Sequence, residues 1–220
     1  MERLGIFGGT FDPPHLGHMI LAAEAADQLA IDRVLWMLSP APPHKLQQRI
    51  TPFICRAELV HACIQHEPKF ELSLIENERP GPHYTSDTLL YLREKYPGSA
   101  IILLTGSDSM NDFHEWHEPQ LILDRIDEMG VMNRPGERID WVHLKSIFPN
   151  IEQKIRLIDA PLLEISSTEI RERIAANHHY RYYLNEDVFH LIQANHYYQK
   201  TQSFFETSNT SADSSILNMD

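Results

Sequence analysis

Residues 4–18 of this 220-residue chain read LGIFGGTFDPPHLGH. The apolar run Leu4–Phe7 predicts a buried strand, because continuous apolar residues are typical of strands covered on both faces. Gly8 and Gly9 follow, and glycines allow a ligand to approach the backbone closely. Apolar residues at helical spacing then predict a helix over about residues 16–30. A strand, a turn and a helix in this order form the repeating unit of a doubly wound α/β sheet.

The rest of the chain alternates between the same two kinds of segment. Thr51 is interpreted as the cap of a helix that begins at Pro52. Further strands are predicted at about residues 34–38, 70–74, 100–104, 130–132 and 155–158, and helices at about residues 52–65, 85–95, 167–176 and 186–195. This alternation favours a parallel sheet with helices on both faces. We therefore predict one Rossmann-like α/β domain over residues 1–200 and a disordered polar tail at 201–220.

Composition narrows the class of protein. The chain has 19 basic and 31 acidic side chains and a net charge of −12, which argues against a broad nucleic-acid or membrane surface. No secretory signal and no membrane-length apolar run is recognisable. Cys55 and Cys63 are expected to be reduced thiols in the cytoplasm. An anionic ligand would then be bound locally, by helix N-termini, backbone amides and a few cations.

His15 and His18 stand at the predicted start of the first helix. A helix N-terminus offers N–H groups and a partial positive charge. Side chains three residues apart lie on one helical face, so both imidazoles can point at one anion. Two other interpretations stay open at this point. The histidines could bind a metal, or they could simply cap the helix.

Residues 165–171 read ISSTEIR and form a second candidate anion site. Ser166 and Glu169 fit a capping box, which begins a helix. The first turn of that helix would offer amides and three hydroxyl groups. Arg171 lies one turn further on and can reach the same place. Alone, this segment would be an ordinary helix cap.

The two segments together resemble the nucleotidyltransferase superfamily with an HxGH motif, whose fold is a Rossmann-like sheet. The resemblance implies that His15 and His18 contact the phosphates of ATP and stabilise the charge that develops during transfer. Residues 165–171 are similar to the ISSTxxR motif of that superfamily, which binds the ATP phosphates.

Four further segments, residues 40–45, 79–89, 106–117 and 132–136, resemble the bacterial nicotinate-mononucleotide adenylyltransferases. The resemblance implies that Trp116 stacks on the pyridine ring and that Tyr84 and Thr85 bind its carboxylate through backbone amides. It places Asp108 on a ribose hydroxyl. His83 stands where that family commonly has a serine.

The implied site residues form three sets. The catalytic set is His15, His18, Lys45 and Arg171. The ATP-binding set is Gly8, Gly9, Thr10, Phe11, His15, His18, Arg134, Ser166, Ser167, Thr168 and Arg171. The acceptor-binding set is Asp12, His44, Lys45, Tyr84, Thr85, Asp108 and Trp116.

The implied reaction is transfer of AMP from ATP to nicotinate mononucleotide, a step of NAD biosynthesis. Magnesium is expected to arrive with ATP, and no residue is assigned as its ligand. One alternative is a sister enzyme that uses nicotinamide mononucleotide or phosphopantetheine, or a cytidylyltransferase. Another is a nucleotide-sensing module without turnover. An NAD-dependent dehydrogenase is disfavoured because no GxGxxG follows the first strand. The sequence leaves open whether the chain forms a homo-oligomer.

Overall fold

The structure, a computed structural model, describes residues 1–40, 50–132, 139–161 and 163–199. Its strands are β1 (Arg3–Gly9), β2 (Arg33–Leu38), β3 (Phe70–Ser73), β4 (Ala100–Gly106), β5 (Glu128–Met132) and β6 (Ile155–Ile158). Its helices are α1 (Leu16–Gln28), α2 (Phe53–Ile64), α3 (Thr85–Lys95), α4 (Ser107–Asn111), α5 (Pro119–Arg125), α6 (Trp141–Ile147), α7 (Ser167–Ala175) and α8 (Glu186–Asn195).

The six strands form one parallel sheet in the order β3-β2-β1-β4-β5-β6. The predicted single α/β domain with a parallel sheet is therefore confirmed. The order reverses beside β1, which pairs with β2 on one side and with β4 on the other. In such sheets a crevice opens at the carboxyl ends of the two strands that flank the reversal, and ligands bind there. The turn after β1 lies at this point.

Both faces of the sheet are buried, which explains the continuous apolar runs in its strands. Ile6 and its neighbour Leu103 face a core that α3, α5 and α6 cover. Phe7 and its neighbour Trp36 face the opposite core, which α1, α2, α7 and α8 cover. Within the described residues, no helix is long and apolar enough to cross a membrane.

One helix start and one half of a capping box differ from the prediction. Pro52 takes the cap position of α2 with an extended backbone, so the helix begins one residue later and Thr51 is not its cap. Ser166 does cap α7 by accepting a hydrogen bond from the amide of Glu169 at 3.1 Å. The Glu169 carboxylate, however, accepts from Arg173 at 3.1 Å, because an ion pair one turn along the helix is available to it. The predicted capping box was wrong in that half.

Candidate active site

The two histidines after β1 lie against each other at the start of α1. Their rings are stacked with centroids 3.7 Å apart. His15 occupies the cap position of α1 and is 6% exposed. Its backbone N–H donates to Nδ1 of His18 at 3.2 Å. A neutral imidazole whose Nδ1 accepts a hydrogen bond carries its proton on Nε2, so His18 presents Nε2–H as a donor. His15 does cap the helix, and this contact leaves His18 with a donor at the helix N-terminus, so capping and a phosphate-binding role are compatible.

Core aromatic residues fix the turn that carries these histidines. Phe11 is buried with a left-handed backbone (φ 47°), and its ring lies edge-on to Phe7 and His18 with centroids 5.3 and 5.1 Å away. A Cβ at Gly9 would lie 2.7 Å from this ring, so only glycine fits there. At Gly8 a Cβ would meet no atom within 4 Å, because that position borders a cavity. Backbone strain of this kind persists only where packing enforces one conformation.

Gly17 packs tightly against the imidazole of His15. A Cβ at Gly17 would lie 3.1 Å from Nδ1 of His15 and 3.2 Å from its Cε1. Gly17→Ala should therefore displace the imidazole and lower kcat about tenfold, because small misplacements of catalytic groups are costly. Stability should not fall, since alanine is the better helix former. Steady-state kinetics and thermal unfolding of the same preparation test this, and an unchanged kcat would show that His15 tolerates displacement.

The two candidate anion sites lie in direct contact, although their sequences are far apart. The Ser167 hydroxyl donates to the carbonyl of Pro13 at 2.8 Å. Arg171 donates through Nη1 to the carbonyl of Asp12 at 2.7 Å and through Nη2 to the Thr168 hydroxyl at 3.2 Å. The predicted convergence of the two segments is confirmed. Two helix N-termini, of α1 and α7, and one guanidinium thus meet beside the carboxyl end of β1.

Asp12 lies at the centre of this contact and is 5% exposed. Its Oδ1 accepts from the Tyr198 hydroxyl at 2.9 Å, and its Oδ2 accepts from the Thr51 amide at 3.2 Å. Among the described residues, those that line the neighbouring cavity do not include Asp12. The carboxylate is occupied within the protein, and its assignment to the acceptor stays a prediction.

Arg56 on α2 joins the loops that border the site, and sequence reasoning gave it no role. It is 1% exposed and donates to four backbone carbonyls at 2.8 to 3.1 Å. Those carbonyls belong to Thr10, Ser39, Pro40 and Thr51. Burial lowers the pKa of the guanidinium, and the charge of Asp12 acts in the opposite direction. One buried cation therefore holds together the segments that follow β1 and β2 and the one that precedes α2.

A cavity of about 1060 Å³ opens beside the paired turns, at the carboxyl ends of β1, β2 and β4. Tyr84, Thr85 and Trp116 from the acceptor set line it. Residues of the ATP set that line it are Gly8, Gly9 and Thr10. The two sets therefore share this space at the end of β1, but the described lining does not include His15, His18 or any residue of the 165–171 segment.

Aromatic rings form part of the cavity wall. Tyr84 stacks on His117 with centroids 3.9 Å apart, and both side chains line the cavity. Trp116 is partly buried against Phe113, with centroids 5.5 Å apart. A wall of this kind suits a flat heteroaromatic ring.

Two titratable groups in the wall have perturbed pKa values. Burial raises the pKa of Glu76, although the Thr88 hydroxyl donates to its Oε1 at 2.9 Å and Arg79 lies near. Burial and the charge of Arg79 lower the pKa of His83, which favours the neutral imidazole. His83 lines the cavity next to Tyr84. It is the residue that stands where the family commonly has a serine. Sequence reasoning assigned Glu76 no role, because a single buried polar residue leaves no periodic signal.

Some predicted site residues lie outside the described part of the chain. They are His44, Lys45, Arg134 and the side chain of Asp108. The predicted tail at 201–220 also lies outside it. Within the described ranges, no group of three or more His, Cys, Asp or Glu side chains could hold a metal ion. The predicted roles of these residues stay predictions.

A parallel sheet whose order reverses beside two converging helix N-termini defines a class of nucleotide-binding enzymes. The family model described as cytidylyltransferase-like matches residues 6–173. The chain is thus a nucleotidyltransferase.

Individual relatives narrow this class. The chain is 36% identical over 207 residues to a probable nicotinate-nucleotide adenylyltransferase of Thermomicrobium roseum, covering 94% of this chain and 96% of the relative. It is 35% identical over 199 residues to the nicotinate-nucleotide adenylyltransferase of Bacillus subtilis, covering 90% of this chain and all of the relative. The chain therefore belongs to the nicotinate-nucleotide adenylyltransferase family.

A solved structure supports the fold. It is that of the Plasmodium falciparum nicotinic acid mononucleotide adenylyltransferase complexed with NaAD, which superimposes with a TM-score of 0.74 at 22% identity. The match covers 90% of this chain and 98% of the other. At 22% sequence identity, this similarity shows that the two proteins share a fold.

Proposed function

We propose that the chain transfers AMP from ATP to nicotinate mononucleotide, forming nicotinate adenine dinucleotide and pyrophosphate. The observation that carries this proposal is the contact of Ser167 with Pro13 and of Arg171 with Asp12, which joins the two phosphate-binding turns beside one cavity. The names of the relatives agree with this substrate pair. The structural neighbour is complexed with NaAD, an abbreviation of nicotinate adenine dinucleotide, which is the proposed product.

The proposed mechanism needs no covalent intermediate. The 5′-phosphate of the mononucleotide is already ionised, so its oxygen attacks the α-phosphorus of ATP directly. A bond forms between them while the bond from the α-phosphorus to the bridging oxygen breaks, and that oxygen leaves with pyrophosphate. His15, the Nε2–H of His18 and the amide of Thr168 would stabilise the developing charge. Arg171 and Lys45 would neutralise the leaving group.

The acceptor would occupy the cavity. Trp116 would stack on the pyridine ring, and the amides of Tyr84 and Thr85 at the N-terminus of α3 would bind the carboxylate. The neutral imidazole of His83 would shape the adjacent wall. In this proposal Asp108 binds a ribose hydroxyl of the nucleotide and Arg134 lies beside the adenine.

Trp116→Leu should raise KM for nicotinate mononucleotide about tenfold, since stacking of a base on an aromatic side chain contributes about 1–3 kcal/mol. KM for ATP should change little. Trp141→Leu is the matched control, because Trp141 is partly buried against the same core and, among the described residues, is not one that lines the cavity. Equal effects of the two substitutions on KM would argue that Trp116 has only a packing role.

Magnesium would be carried by ATP, since it prefers phosphate oxygens and water to a cage made of protein side chains. When bound, it would offset charge on the triphosphate. We also propose a cytoplasmic location. Cys55 and Cys63 are both free, which suits a reducing compartment.

Product analysis tests the proposal. The purified chain is incubated with ATP, magnesium and, in separate reactions, nicotinate mononucleotide, nicotinamide mononucleotide or phosphopantetheine. Pyrophosphate release and mass spectrometry of the product should show the highest kcat/KM with the nicotinate acceptor. A higher value with another acceptor would assign the chain to a sister activity. If the chain binds ATP but releases no pyrophosphate with any of the three acceptors, the result would indicate a sensing module.

A further inference from the structure

The segment after α8 returns to the first turn of the chain. His196 and Tyr198 both have left-handed backbones, with φ of 54° and 66°. Non-glycine residues adopt this conformation at a cost, and it persists where other contacts enforce it. In this conformation the Tyr198 hydroxyl donates a hydrogen bond to Oδ1 of Asp12 at 2.9 Å, across 186 positions in the sequence.

Asp12 connects this hydroxyl to the phosphate-binding turns. Its carbonyl accepts from Arg171 of α7, and its other carboxylate oxygen accepts from the Thr51 amide. The same residue thus has partners on three separate segments, and His15 follows three positions later. The carboxylate and the carbonyl that accepts from Arg171 therefore belong to one residue.

We propose that Tyr198 is a positioning residue for the transfer reaction and acts through Asp12 on the turn that carries His15 and His18. This inference rests on the proposed function. Without the hydroxyl, a carboxylate that is 5% exposed loses one of the two hydrogen bonds that it accepts from described residues. A buried charge that loses a partner must move or recruit water. The turn would then lose the single conformation that aligns its donors.

The Tyr198 hydroxyl can donate to Asp12 throughout the pH range of an activity assay. Burial and the charge of Asp12 raise the pKa of Tyr198 far above its ordinary range, so it stays protonated and remains a donor. Among the described residues that line the acceptor cavity, Tyr198 does not occur. A defect at Tyr198 should therefore appear in kcat and not in KM for the mononucleotide.

Tyr198→Phe removes the hydroxyl and keeps the ring. It should lower kcat about tenfold, the effect expected from loss of one hydrogen bond to a buried charge, and change KM for the mononucleotide less than twofold. Tyr197→Phe is the matched control, because the Tyr197 hydroxyl contacts Glu58 at 3.4 Å, away from the turn. Its kcat should stay within twofold of the wild type.

A double-mutant cycle with Asp12→Asn separates positioning from general stability. If Tyr198 acts through Asp12, adding Tyr198→Phe to Asp12→Asn should lower kcat less than twofold further. Each variant is assayed well below its unfolding temperature. Full additivity of the two losses, or a Tyr198→Phe enzyme within twofold of wild-type kcat, would overturn the proposal. Activity of the wild type in the same assay tests the proposed function independently.

Discussion

His18→Ala should lower kcat by about 10²–10³, the loss expected when one preorganised donor to a developing negative charge is removed. The donor in question is the Nε2–H that the hydrogen bond from the His15 amide to Nδ1 dictates. KM for the mononucleotide should change much less, since the ring-binding part of the cavity is intact. Pre-steady-state and steady-state rates of pyrophosphate release measure the effect.

The control for this loss is His178→Ala, which removes an exposed imidazole elsewhere on the surface. Circular dichroism and thermal unfolding should show both variants folded. His18 contacts Phe7 and Phe11, so a modest fall in stability is expected for His18→Ala alone. A folded His18→Ala enzyme with near-normal turnover would contradict the role assigned to this histidine.

Arg56→Met should destabilise the protein by about 3 kcal/mol, because four partly buried carbonyls lose their donor while the volume is kept. For a chain of this size the unfolding midpoint should fall by about 6–12 °C. The loss of charge also leaves the buried Asp12 with less electrostatic support. Calorimetry at fixed pH and salt measures the free energy of unfolding and the unfolding midpoint.

Arg181→Met provides the comparison. Arg181 forms an ion pair with Glu186 at 2.9 Å on the surface, and such pairs contribute about 0–1 kcal/mol. Its unfolding midpoint should fall by no more than about 4 °C. Similar midpoints for Arg56→Met and Arg181→Met would mean that water replaces the buried guanidinium without cost.

Local patterns in the sequence predicted most of the sheet and the helices around it. The helix at 85–95 and the strand at 155–158 have the predicted ends in the structure. The helices α5 and α6 were missed. Each has seven residues, which is two turns, and a periodicity cannot be recognised over so short a span.

The sequence predicted those parts of the candidate site whose residues lie close together in the chain. The HxGH and ISSTxxR segments each carry their own signal, and their order in the chain indicated a shared site. Arg56 and Tyr198 carry none, because their partners lie up to 46 and 186 residues away. A buried arginine on an amphipathic helix has the same sequence signature as an exposed one. Long-range hydrogen bonding of this kind becomes visible only once the chain is folded.

The contact between Tyr198 and Asp12 has a consequence for a chain that is still being synthesised. The first turn leaves the ribosome early, but Ser167, Arg171 and Tyr198, which complete it, are among the last described residues to be translated. Domains fold as units once their sequence is available. A nascent chain can therefore complete the turn after β1 only once its synthesis has passed Tyr198, so the two ends of the described chain must meet before the site is assembled.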